Sequence, residues 1–186
     1  AIGGASLAAG DFSTAVGQEA KATKDFSSAV GYMAEANSSG SAAIGAWAKT
    51  SGGDSAALGN HAEASGSKSL ALGNSTKAIG SESLALGLLA EASGSASNAI
   101  GWKARATEQN ATAIGSGAKA YSGSGIAMGT NAEAGSVGSE DTLVQAMALG
   151  ANSKAKAQSQ DVALGADSET STVANTPNTQ IDGKIY

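Results

Sequence analysis

Acid–base or nucleophilic chemistry in this chain would have to pass through very few residues. His61 is the single histidine and there is no cysteine. A histidine-based triad would therefore need His61 paired with one particular Ser and one particular Asp, and no spacing selects them. His61 stands three places after Leu58 in a predicted turn, where a solvent-exposed side chain is its plainest reading. Without cysteine, disulfides and thiolate metal sites are excluded. No Gly-rich loop is followed by the Lys and Ser/Thr that would cradle a phosphate. The 11 basic residues are scattered among 16 acidic ones, for a net charge of −5, which leaves no cationic stripe for nucleic acid. The expectation is a chain with no enzymatic activity, no catalytic residues, no cofactor and no metal, and with nucleic acid not among its partners.

The charged residues do have a pattern, but it is structural. Lys21, Glu35, Lys49, Glu63, Lys77, Glu91, Arg105, Lys119, Glu133, Lys154 and Glu169 alternate in sign at almost every step. Each lies five places after an apolar residue that sits in a tripeptide of Ala, a large apolar residue and Gly. That tripeptide recurs at Ile2, Val16, Val30, Ile44, Leu58, Leu72, Leu86, Ile100, Ile114 and Met128, 14 residues apart without a slip, and again at Leu149 and Leu164. Fixed phase of this kind is the mark of a solenoid. Stacked in register at ~4.8 Å, the charges form a ladder of opposite signs. Each exposed pair contributes only ~0–1 kcal/mol, so the ladder sets register more than it holds the fold. Arg105 over Lys119 is the one like-charged rung.

The elements that position this ladder follow from the small residues around it. Four and six places after each apolar residue come small side chains, as in Ala34 and Ala36 or Ala62 and Ala64, and a period of two is a strand signal. Gly in every repeat argues against continuous helix. Each repeat is thus two short strands and two turns, with Ala and Ser facing across a thin interior. By alternation the large apolar residues point out of the coil, joined by Leu70, Leu84, Ile126, Met147 and Val162. A continuous exposed row of this kind is a patch that soluble monomers avoid. The sequence predicts a homo-oligomer of closed cyclic symmetry with the row Ile2, Val16, Val30, Ile44, Leu58, Leu72, Leu86, Ile100, Ile114, Met128, Leu149 and Leu164 on its axis.

Composition agrees once the phase is known. The chain of 186 residues has 42 Ala, 27 Ser and 26 Gly, half of the total. Leu, Ile, Val and Phe together make up roughly 15%, below the ~20% at which composition starts to suggest disorder. The repeat resolves that conflict: the small residues fill a thin coil and the scarce large ones fall on one row. No apolar run approaches the ~20 residues of a membrane helix, and no signal peptide opens the chain, so membrane contact by this segment is not expected. Large residues that break the pattern, Tyr32, Met33, Trp47, Leu88, Leu89 and Trp102, stand two or three places after a repeat apolar residue, in the turn. Turn aromatics of this kind are enriched in interaction surfaces. Tyr32, Trp47, His61 and Trp102 are the candidate ligand contacts, with cover for a groove between neighbouring chains as the competing role.

Ser-x-Ala-(Ile/Val/Leu)-Gly-x-x-Ala-x-Ala-x-Gly at a period of 14 resembles the YadA-like head repeat of trimeric autotransporter adhesins of Gram-negative bacteria. The resemblance covers about residues 1–170. It implies an all-β fold, a left-handed parallel β-roll of about twelve coils, assembled as a parallel homotrimer. It also implies display on the bacterial cell surface through an outer-membrane anchor outside this sequence. Partners implied are host extracellular-matrix proteins or the host cell surface; the alternatives are a passive spacer carrying another binding head, or bacterial autoaggregation. The motif Ser is replaced at Ala111, Gly125, Ala146 and Asp161. Seven extra residues near 135–145 are expected to leave the roll as a loop or hairpin. Residues 171–186 lose the repeat and are expected to begin a connector or further module, with Asp182-Gly183 as a hairpin turn.

Overall fold

In a computed structural model the described residues are 1–136, 145–156 and 160–170, with the backbone of 180–181 and 184–185. Coil after coil has the same course. Using the one around Ile44 as the example, a three-residue strand, Ala42–Ile44, leads through a turn at Gly45–Trp47 into a two-residue strand, Lys49–Thr50. A second turn then returns the chain to the next three-residue strand, Ala56–Leu58. Strands of each kind stack only with their own kind. The result is two 11-stranded sheets, one of long strands and one of short strands, in which each pairing is parallel. Single bridges extend them, from Ile2 to Val16 and from Lys154 to Glu169.

Register follows the 14-residue phase: Val30 pairs with Ile44 and Ile44 with Leu58. Alanine is a poor strand former, and the stacking overrides that propensity because every coil presents the same backbone groups to the next. Gly45 donates to the Val30 carbonyl at 2.8 Å and Lys49 to that of Ala62 at 2.8 Å. The interior between the sheets is built almost wholly of buried alanine, including Ala43, Ala48, Ala57, Ala62 and Ala64. Methyl-sized side chains let the two sheets approach closely, which is why larger core residues are absent from the pattern. Where threonine replaces alanine, its hydroxyl is satisfied internally: Thr50 donates to Ser41 Oγ at 3.0 Å and Thr76 to the Gly87 carbonyl at 2.7 Å.

The motif serines close the second turn. Ser41, Ser55 and Ser69 are buried and donate to the carbonyl three residues earlier, at 2.6, 2.7 and 2.7 Å. Ser27 makes the same bond to Lys24. The glycine of each tripeptide is required for a different reason. At Gly45 φ is +132°, and a Cβ there would lie 2.4 Å from the Gly59 oxygen of the next coil.

The extra residues leave and rejoin the roll at defined points. Gly135 still donates to Ala155 and Gln145 donates to Gly123, each at 2.8 Å, while residues 137–144 of the expected loop lie outside the described residues. In the tail, Gln180–Ile181 and Lys184–Ile185 pair antiparallel. Asp182 and Gly183 between them lie outside the described residues, as do 171–179.

Candidate functional site

The roll has four surfaces: the outer faces of its two sheets and the two edges formed by its turns. On the short-strand sheet the charged residues stack as registered partners, Lys21 on Glu35 and Glu35 on Lys49. Glu35 reaches both lysines, at 3.8 and 4.0 Å. Arg105 pairs with Glu91 at 3.2 Å and Lys154 with Glu169 at 3.5 Å. Glu63 accepts the Ser65 hydroxyl at 2.9 Å. Arg105 and Lys119 are registered neighbours of like charge. One rung differs from a simple ladder: Glu133 is in register with Lys154, but its ion pair is with Lys156, at 2.7 Å. The other pairs are partly to largely exposed, and each is worth at most about 1 kcal/mol, whereas Glu133 is mostly buried beneath its partner.

The long-strand sheet carries the apolar row. Ile2, Ile44, Leu72, Met128 and Leu164 are exposed, and Val16, Val30, Leu58, Leu86, Ile100, Ile114 and Leu149 are half-buried. Leu70 and Val162 beside the row are exposed as well. The side chains point away from the alanine interior because they alternate with Ala43 and its equivalents along each three-residue strand.

The edge that follows the long strands gathers the turn aromatics. Trp47 and His61 occupy equivalent positions one coil apart, both with left-handed backbone, at φ 55° and 54°. Their rings stack with centroids 4.8 Å apart and planes 5° from parallel. Tyr32 meets Trp47 edge-on, centroids 5.1 Å apart. His61 is thus an exposed turn residue whose ring contact is an indole, in place of any serine and aspartate. Beside the stack a shallow recess of about 170 Å³ is lined by Met33, Glu35, Trp47, Ala48 and Lys49. Trp102 lies farther along the same edge, away from the stack, with the Lys103 ammonium 4.5 Å from its ring. Leu88 and Leu89 are exposed between the two groups. The same edge ends in a polar column: Asn131 donates to Asn152 at 3.3 Å and Asn152 to Asp167 at 2.9 Å.

Sequence reasoning missed the opposite edge. Phe12 is 83% exposed and Phe26 64%, and their rings stack with centroids 5.4 Å apart and planes 9° from parallel. Both sit in the turn that leads into a long strand, with φ of 58°. The signal was available as two phenylalanines 14 residues apart. Exposed Ile79 lies on the same side, ahead of the strand Leu84–Leu86.

Among the described residues no three His, Asp or Glu side chains gather to hold a metal, and no helix is long and apolar enough to cross a membrane. Chemically, the surfaces offer apolar contact, ring stacking and alternating charge.

A family model described as YadA head domain repeat matches residues 1–20, 22–48, 51–76, 64–90, 78–104, 92–118, 106–132 and 144–168. A solved structure, the collagen-binding domain of the Yersinia adhesin YadA, is similar at 22% identity and a TM-score of 0.47, over 97% of this chain and 78% of that one. No curated protein matches the chain. The repeats matched by the family model run from the first coil to the last, and the chain belongs to the YadA head-repeat family.

Proposed function

We propose that this chain is the head of a bacterial surface adhesin, a non-catalytic module that attaches the cell to host cells or extracellular-matrix proteins. Its working form in this reading is a parallel homotrimer. The single observation that carries the trimer is the apolar row, which stays outside the alanine interior along the whole roll. Covering each half-exposed aliphatic side chain is worth about 1 kcal/mol, and the row repeats at every coil. Three chains with their long-strand sheets toward one axis cover the row and leave the charged ladder and the turn edges outside. Residues 1–170 form the head in this assignment, and 171–186 begin a connector.

Adhesion then arises from many weak contacts that repeat along the roll and around the axis, made strong by multivalency. Tyr32, Trp47, His61 and Trp102 are the residues available for ligand contact. Display through an outer-membrane anchor belongs to regions beyond this sequence. The second reading is a spacer that carries another binding head or mediates autoaggregation, and the uniform short-strand face favours it.

Sedimentation and solid-phase binding test both halves. The purified chain is expected to sediment as a trimer and to bind at least one member of a panel of matrix proteins and host cells. A monomer with full strand content at micromolar concentration overturns the assembly. A well-folded trimer that binds none of the panel overturns the adhesin in favour of the spacer.

A further inference from the structure

The charges of the short-strand face alternate except at one rung. Arg105 and Lys119 are registered partners on adjacent coils, which sets two cations ~4.8 Å apart. Like charges directly opposite one another destabilise a sheet, so this rung opposes the register that the rest of the ladder supports. The carboxylate next in line does not relieve it: Glu133 is in register with Lys119, yet its ion pair is with Lys156. Lys119 is half-buried and has no ion pair among the described residues. Arg105 meets Glu91 through one terminal nitrogen at 3.2 Å, and a guanidinium has further donors in its fork. A third cation stands on the same coil as Arg105. Lys103 lies two places earlier, in the turn, with its ammonium 4.5 Å from the ring of half-exposed Trp102. Tyr121, two places after Lys119, is half-buried and occupies the position from which Asn37 and Ser65 reach Glu35 and Glu63 on other coils. In a chain of net charge −5, three cations and two aromatic rings therefore meet on two adjacent coils. Glu91 is the one carboxylate paired with them, and exposed Glu108 stands beyond, in the following turn.

We propose that this island binds an acidic polysaccharide through sulfate or carboxylate groups on adjoining sugar rings. Guanidinium and ammonium groups are the side chains that take such anions. Lys103 and Arg105 lie two residues apart along the chain, at most ~7 Å, and Arg105 and Lys119 lie one strand apart, ~4.8 Å, distances that suit substituents on neighbouring rings. Trp102 and Tyr121 supply flat apolar surface with a polar edge, onto which the C–H face of a sugar packs. An acidic peptide offers no such ring. A nucleic-acid backbone needs a continuous basic stripe, and here the island is bounded along the ladder by Glu91 and Glu133. The one rung that breaks the local rule for charge is thus the one equipped for an anionic ligand, and such exceptions are expected where a protein has a site to maintain. The proposal deepens the adhesin reading given above by naming a class of partner. It uses the face that the proposed trimer leaves outside, where three islands at one height add multivalency.

Binding of the intact chain to immobilised heparin, hyaluronan, uncharged dextran, poly-glutamate and a DNA duplex tests the site. The chain is expected to bind heparin or hyaluronan, to release it as salt is raised to about 0.5 M, and to bind the other three more weakly or not at all. Lys119→Gln removes one cation together with the like-charged rung. It is expected to weaken glycan binding about tenfold while leaving the melting temperature unchanged or raised. Lys21→Gln makes the same change of charge at an alternating rung and is expected to bind as the wild type does. Trp102→Ala is expected to weaken glycan binding with the salt dependence retained. Equal losses in Lys119→Gln and Lys21→Gln overturn the site in favour of overall charge. Poly-glutamate or DNA bound as tightly as the glycan overturns the polysaccharide as its ligand. A chain that binds matrix proteins but neither acidic glycan overturns the island and leaves the adhesin reading standing, and a folded chain that binds nothing overturns both.

Discussion

The imidazole of His61 lies flat on the indole of Trp47, centroids 4.8 Å apart and planes 5° from parallel. The two residues are separated by a full coil in sequence and brought together by stacking alone. Both sit at left-handed turn positions that cost non-glycine residues about 1–2 kcal/mol each, and each is held there by a hydrogen bond to the preceding coil, Trp47 to Tyr32 at 2.9 Å and His61 to Ala46 at 3.0 Å. A double-mutant cycle of Trp47→Ala and His61→Ala, read by denaturant unfolding, is expected to give a coupling of about 0.5–1.5 kcal/mol. Trp47→Ala with Trp102→Ala is expected to be additive, because the two indoles belong to separate groups.

Glycines in this chain differ sharply in what a methyl group would meet. At Gly66 the backbone is not left-handed, yet a Cβ would lie 1.9 Å from the Gly80 oxygen of the next coil. At Gly53 the nearest atom would be Ser38 Oγ, 3.9 Å away. Gly66→Ala is expected to lower the melting temperature strongly or prevent folding, since backbone atoms in a stacked coil cannot move singly. Gly53→Ala is expected to be neutral or to stabilise by about 0.4–1 kcal/mol, by restricting the unfolded chain. Equal losses in the two variants would refute the account.

The buried motif serines also divide. Ser55 and Ser69 donate to carbonyls at 2.7 Å, whereas the hydroxyls of Ser83 and Ser97 are buried without a partner. Ser69→Ala is expected to cost about 0.5–1.5 kcal/mol for the lost hydrogen bond. Ser83→Ala removes a desolvated hydroxyl and is expected to leave stability unchanged or raised. Chemical denaturation of the two variants side by side checks the difference, and a larger loss at Ser83 would count against it.

On the charged face, Glu91→Gln breaks the 3.2 Å pair with Arg105. The side chains are 31% and 46% exposed, so the expected cost is small, below about 1 kcal/mol, and it should vanish in 1 M salt. A loss that persists in high salt would show that Glu91 acts through packing.

Much of this molecule is legible in its sequence. The 14-residue phase dictated that Lys21 lies on Glu35 and Val30 on Ile44, because parallel strands of identical coils can pair only in the register of the repeat. Alternation within three residues placed Ala43 inside and Ile44 outside. The same reasoning put Tyr32, Trp47, His61 and Trp102 in one type of turn. It stopped there, because sequence spacing gives a column and a level but no ring plane or rotamer. That His61 and Trp47 stack flat while Trp102 meets Lys103, and that Glu133 reaches across to Lys156 past its registered Lys154, depends on side-chain directions set by the packed turns. Phe12 and Phe26 come four places before Val16 and Val30, in a turn where the repeat motif carries no apolar marker to single them out. Gly66 shows the division most plainly. Its recurrence was visible in the sequence, but its necessity comes from the next coil's backbone passing within 2 Å of where a Cβ would stand, a distance that exists only once the coils are stacked.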